Sequence, residues 1–189
     1  FESAKILGAK GVSNEIGHEA CDRLGKFAEK HDMFAVFHNH GQPGDPEFNF
    51  EDFLAYSPNV MLNFDVGHYF GATGKHPNEL IEKLHDRIFS IHLKDKTGKN
   101  DTPANTNMVW GKGTTPIGDV LNLIKNRNVV LVLQGHLHVK EMIRWKGATY
   151  IVGGAVCGRW WRGSWFDTPE VFNLITLTGN RIEWEYIDY

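Results

Sequence analysis

Cysteine is scarce: Cys21 and Cys157 are the only two in 189 residues. That excludes a disulfide scaffold and leaves buried free thiols as the expectation. No apolar run approaches the ~20 residues of a membrane-spanning helix, so no membrane partner is expected. Positive charge is not in surplus either. The formal net charge is -3, which gives nucleic acid and anionic membranes nothing to hold. A basic, apolar and small-residue leader is missing at the start, and the expected location is the cytoplasm. So is an initiating Met: Phe1 to Leu7 already reads as mid-helix, and the chain is expected to begin inside a longer protein. Gly111-Lys112-Gly113 lacks the rest of a phosphate-cradling loop. What is present is 41% hydrophobic and 23% charged residues, the balance of a globular domain, and ten histidines. Several of those stand at the ends of strand-like runs.

Up to about residue 128 the pattern alternates short apolar strands with amphipathic helices. Strands are expected at Ala9 to Glu15, Phe34 to Phe37, Val60 to Val66 and Ile88 to Leu93. Helices are expected at Ala20 to His31, Phe50 to Tyr56, Glu79 to Arg87 and Ile117 to Lys125, where apolar residues recur at helical spacing. Between the last strand and the last helix, Lys96 to Thr114 is a polar loop long enough for a lid. Repeated βα units of this kind predict an α/β fold with a parallel sheet, a partial barrel. After Asn128 the rhythm changes to strands alone: Val129 to Leu133, Ala148 to Val152, Phe172 to Leu177 and Ile182 to Ile187. The expected organisation is therefore a barrel-type segment over 1–128 and a β-rich segment over 129–189.

Three strands of the first segment end in polar, metal-competent residues. Alternation puts Met61, Asn63 and Asp65 on one face, and groups Ser90, His92 and Lys94 on another. In a parallel barrel, polar residues at the C-terminal strand ends read as an active site. Asp65 and His92 offer the carboxylate and imidazole that Mn²⁺, Co²⁺ or Zn²⁺ accepts. His68 lies three residues past Asp65, which places it on a loop and suits contact with a substrate.

Residues 1–128 resemble the xylose-isomerase-like TIM barrels of the sugar phosphate isomerase/epimerase family. The matching stretches are Phe37-His38-Asn39-His40, Asn63-Phe64-Asp65-Val66-Gly67-His68, Ser90-Ile91-His92-Leu93-Lys94-Asp95 and Gly111-Lys112-Gly113. The resemblance implies that Asp65 and His92 bind a divalent metal (Mn, Co, Zn or Mg) and that His68 meets a substrate hydroxyl. His38 stands where relatives carry a glutamate ligand and joins the candidate metal set; His40 and Lys94 join His68 as candidate substrate contacts. The implied reaction moves a proton between adjacent carbons of a sugar or sugar phosphate. The second glutamate of the relatives has no counterpart here, and a complete barrel needs about 250 residues.

The second segment carries Gly135-His136-Leu137-His138 directly after an apolar strand. Together with Gly153-Gly154-Ala155-Val156-Cys157-Gly158-Arg159-Trp160-Trp161-Arg162-Gly163, this resembles the C-terminal part of calcineurin-like metallophosphoesterases. That resemblance implies His136 and His138 as ligands in a two-metal site for phosphoester hydrolysis. The earlier motifs of that family do not precede it. Three readings follow: a sugar isomerase/epimerase, a metallophosphoesterase, and a non-catalytic fragment or chimera. Val129 to Leu133 is apolar throughout, as in a strand buried on both faces. It is expected parallel beside Ile88 to Leu93, with the later strands in a separate antiparallel patch holding Trp160 and Trp161. The unpaired edges of a partial barrel predict self-association.

Overall fold

The computed structural model describes residues 1–125, 131–134, 140–145, 148–153, 161–164, 168–178 and 181–188. The chain divides into two compact units, Phe1–Leu121 and Asn122–Tyr189. The fold is α/β: a parallel sheet of βα repeats, as in part of a TIM barrel, followed by a unit with antiparallel strands.

The first unit holds four parallel strands in chain order, β1 (Gly11–Asn14), β2 (Phe34–His38), β3 (Val60–Asp65) and β4 (Ile88–His92). Because β3 lies between β2 and β4 and is covered on both faces, it reads as a nearly continuous apolar run. Val60, Leu62, Phe64 and the following Val66 are all within 1% of complete burial. Between the strands run α1 (Glu2–Ile6) before β1, α2 (His18–His31), α3 (Phe50–Leu54), α4 (Val66–Thr73) and α5 (Pro77–Leu84). The amphipathic α2 buries Cys21, Gly25 and Ala28 and stops at Asp32, whose left-handed backbone (φ 53) turns the chain into β2. An aromatic cluster of Phe37, Phe50, Phe53, Phe64 and Tyr69 forms the core beneath the sheet, edged by half-buried Phe48, with Phe37 stacked on Phe53 at 4.6 Å. Each such ring contributes about 1.5–3 kcal/mol on burial.

Two sequence expectations change here. His68 belongs to helix α4, not to a loop: the strand passes into the helix without a linker, with Asp65 as the N-cap. The stretch from Lys96 to Thr114 is also tied down. Asp95 Oδ2 accepts the amides of Gly111 and Gly113 at 2.8 and 2.9 Å, and Lys96 pairs with Asn107 in a bridge.

After α6 (Ile117–Lys125) come β5 (Leu131–Gln134), β6 (Glu141–Trp145), β7 (Ala148–Val152), β8 (Val171–Thr178) and β9 (Arg181–Asp188). The expected place of the apolar strand beside Ile88 to Leu93 is overturned: β5 pairs in parallel with β7, and β7 pairs antiparallel with β6. An apolar strand takes whichever edge offers apolar cover, and Ile151 and Val152 of β7 are buried. β8 and β9 form an antiparallel ribbon through eight residue pairs. Tyr186 Oη donates to the Val152 carbonyl at 2.9 Å within the same unit. Trp161 is 79% exposed, while Trp160 and Cys157 lie outside the described residues. No described helix is long and apolar enough to cross a membrane.

Candidate functional site

The C-terminal ends of β2, β3 and β4 lie in register, so His38 pairs across from Asn63, and Asp65 from His92. This brings the histidines and the aspartate of three strands together. His38, Asp65 and His92 each offer one ligand atom, all within 4.8 Å of one another. His38 Nε2 lies 3.9 Å and His92 Nδ1 3.7 Å from Asp65 Oδ2.

Asp65 divides its two oxygens. Oδ1 accepts the His68 amide at 2.8 Å and starts α4. Oδ2 is fully buried and makes no hydrogen bond of good geometry, although the Lys94 ammonium stands 3.0 Å away. The backbone of Asp65 is held by buried Asn39, which donates Nδ2 to the Asp65 carbonyl (3.1 Å) and accepts the Asp65 amide (2.9 Å). Burial alone would raise the Asp65 carboxyl; the neighbouring His92 and Lys94 outweigh it and hold the group below the usual carboxylate range. The site aspartate is therefore an anion.

Two of the surrounding rings, His38 and His68, are neutral bases. Burial, then the proximity of His92, pulls His38 down to about 4. Burial likewise takes His68 down to about 3, against the opposing pull of Asp65. An ammonium can only donate, so Lys94 gives a proton bond to His68 Nε2 at 3.0 Å, which leaves the His68 proton on Nδ1. Asn63 reaches the outer nitrogen of both cluster rings, His38 Nδ1 at 3.3 Å and His92 Nε2 at 3.4 Å, and accepts from Ser90 Oγ at 2.8 Å.

Helix α4 reaches the site because it carries glycine at two positions one turn apart. A Cβ on Gly67 would strike the stem of Lys94. One on Gly71 would meet the Asn105 amide and stand 3.0 Å from Lys96 Cε. Larger residues would push the helix, and His68 with it, off the β4 end.

Of the residues expected from sequence, His38, Asp65, His92, His68, Lys94 and His40 converge here. His40 packs its ring against those of His68 (4.4 Å) and His38 (4.8 Å). His136 and His138 lie outside the described residues. Glu15 escaped the sequence reading. It follows β1 as the polar residue at the strand end and lies 2.7 Å from His40 Nδ1. The same strand-end rule that selected Asp65 and His92 would have selected it. Asn39 was read only as part of a motif, yet it fixes Asp65.

The sequence model for "Xylose isomerase-like TIM barrel" matches residues 15–144, more than half of the chain. The chain belongs to that family. Among solved structures, this xylose isomerase-like chain is similar to a xylose isomerase domain protein from Planctomyces limnophilus, at 18% identity and TM-score 0.55, over 67% of this chain and 52% of that one. A sugar phosphate isomerase/epimerase from Parabacteroides distasonis matches at 17% identity and TM-score 0.48, over 64% of this chain and 47% of that one. The xylose isomerase-like chain thus spans about half the length of these structures. Vacuolar Protein Sorting 29 from Cryptosporidium parvum covers 82% of this chain and 96% of its own at 13% identity, but its TM-score of 0.21 is far below a shared fold. No curated protein matches the sequence.

Proposed function

We propose that this chain is part of a divalent-metal-dependent isomerase/epimerase acting on a sugar or sugar phosphate, with Mn²⁺, Co²⁺, Zn²⁺ or Mg²⁺ at His38, Asp65 and His92. The observation that carries the reading is Asp65 Oδ2: a buried anionic oxygen without a good hydrogen bond, flanked by two imidazole nitrogens within 4 Å. Lys94 balances the buried charge, and the two imidazoles beside the oxygen add nitrogen donors that a cation could use. The donors fit a cation that accepts mixed nitrogen and oxygen ligands. When bound, such an ion polarises substrate oxygens and acidifies the adjacent C–H.

The chain's own groups then act on the substrate. His68, protonated on Nδ1 and anchored through Nε2, is set to donate to a substrate oxygen. Lys94 holds that tautomer and balances Asp65. Asn39 keeps the Asp65 carboxylate in place through its backbone. In this reading residues 1–128 supply the barrel-type half, and 129–189 an added β-rich segment in the cytoplasmic protein. Where relatives are expected to use a glutamate, His38 binds as a neutral ligand.

Titration with Mn²⁺, followed by electron paramagnetic resonance, tests the site. One ion should bind per chain, and Asp65→Asn should weaken it by more than about 100-fold, since even residues behind the ligands are worth 10–100-fold. Asn still caps α4, so the variant should remain folded. Unchanged affinity in both Asp65→Asn and His92→Ala would sink the assignment.

A further inference from the structure

Lys96 is a buried cation that the cluster of His38, Asp65 and His92 does not use. The residue is only 4% exposed, and burial, then the Lys94 charge, pulls its ammonium below the ordinary lysine value. Its backbone is fixed on both sides. The amide donates to Thr115 Oγ1 at 2.9 Å, and the carbonyl accepts the amides of Thr114 and Thr115. From there the side chain reaches α4. Lys94 packs its stem against Gly67, and Lys96 Cε stands 3.0 Å from where a Cβ on Gly71 would be. The two lysine stems therefore meet the same helix one turn, about 5.4 Å, apart.

Every carboxylate nearby is already engaged. Asp65 pairs with Lys94 at 3.0 Å and gives its other oxygen to the His68 amide. Asp95 Oδ2 is shared by the amides of Gly111 and Gly113, while its Oδ1 is closed in against Gly113. Asp101 Oδ2 takes the Gly98 amide and the Thr114 hydroxyl. Of the three, Asp65 alone acts on Lys96 by its charge, and Lys94 already offsets it. His38 and His68 are neutral, and the loop adds the exposed cations Lys99 and Lys112. Among the described residues the Lys96 ammonium has no ion-pair or hydrogen-bond partner, and it is not one of the sealed, unpaired atoms of the fold. Its tip meets open space.

A buried, unpaired charge destabilises the fold, and an anion at its tip removes that penalty. We propose that Lys96 anchors an anion site on the α4 side of the cluster, for the oxygens of a carboxylate or a phosphate. An ammonium is a point charge without a planar fork and accepts either. Asn105, whose carboxamide also lies against Gly71, borders the site. The assignment is independent of a metal at His38, Asp65 and His92.

Calorimetric titration of the full chain with sodium phosphate and with sodium acetate tests it, at constant ionic strength in chloride and with EDTA present. One anion should bind per chain. Lys96→Met keeps the length of the stem and removes the charge. It should weaken the anion at least about tenfold, the scale of one hydrogen bond to a charged group, and raise the urea midpoint. His92→Ala should leave the affinity unchanged. A reading that needs no variant comes from lysine labelled at the ε carbon. Phosphate should shift the Lys96 resonance and not that of Lys26, which already pairs with Asp22 on the surface. Phosphate tighter than acetate assigns the site to a phosphoryl group and the reverse order to a carboxylate; either order upholds it. No saturable binding above chloride, equal affinity in Lys96→Met, a lowered urea midpoint in that variant, an unmoved Lys96 resonance, or loss of binding in His92→Ala each overturns it.

Discussion

The two units bury their strands by opposite means. In the first, β3 lies between parallel neighbours with helices over the sheet, and only Met61 of its six residues is less than buried. In the second, the β8–β9 ribbon alternates exposed and half-buried residues, with Val171 its one buried position among those described. The difference governs where chemistry can live. Parallel strands all deliver their last residues to one rim, where a low dielectric makes each charge strong. An antiparallel ribbon scatters its strand ends between two rims and keeps one face wet. The neutral imidazoles and the orphaned carboxylate oxygen belong to the first arrangement.

The sharpest break in this comparison is a core deletion. Phe64→Ala removes a ring with no exposure, packed on Phe50 and Tyr69, and should cost about 3–5 kcal/mol in urea unfolding. A cost below about 1 kcal/mol would mean the parallel sheet is not the cooperative core. Acid should act next. His38 sits at about 4, below its ordinary 6.5, so as pH falls the unfolded chain takes up the proton first. The corresponding stability is complete above about pH 6.5 and is lost progressively down to about pH 4, on the order of 3 kcal/mol. The shifted group of the second unit among the described residues, Tyr150, moves upward, away from that window. Urea midpoints measured between pH 4 and 7 should therefore fall in wild type, with a smaller fall in His38→Asn. Equal falls would place the acid sensitivity elsewhere. The smallest effect is expected in the ribbon: Leu174, 48% exposed, should cost under about 1 kcal/mol as Leu174→Ala. A loss as large as that at Phe64 would erase the distinction between the units.

Much of this was legible because periodicity is local. The helix Ile117–Lys125 and the strand Ala148–Val152 fall where the sequence places them, and α2, β2, β3 and β4 differ only at their ends. Helix α4 was not legible. Val66-Gly67-His68-Tyr69-Phe70-Gly71 has two glycines and little polar face, so neither propensity nor amphipathic pattern marks it. Its reason is tertiary, in the close approach to Lys94 and Lys96. β6 was missed because Glu141-Met142-Ile143-Arg144-Trp145 has no clean alternation. The partner of β5 was misread since an apolar run specifies burial on two faces but not by which neighbour. At the site, strand-end polarity identified Asp65, His92 and His38. It could have yielded Glu15, whereas the support of Asn39 depends on register across two strands and is invisible in one dimension.

The division of the Asp65 carboxylate has one more consequence. The oxygen that starts α4 and the oxygen that faces the imidazoles share the same electrons. Charge drawn toward Oδ2 is charge withdrawn from the hydrogen bond at Oδ1, so occupancy of the cluster and the tightness of the first helical turn are one coordinate. The amide proton of His68 is thus a built-in spectroscopic gauge: its resonance and its exchange with solvent read the electrostatic state of a site from the backbone of the helix beside it.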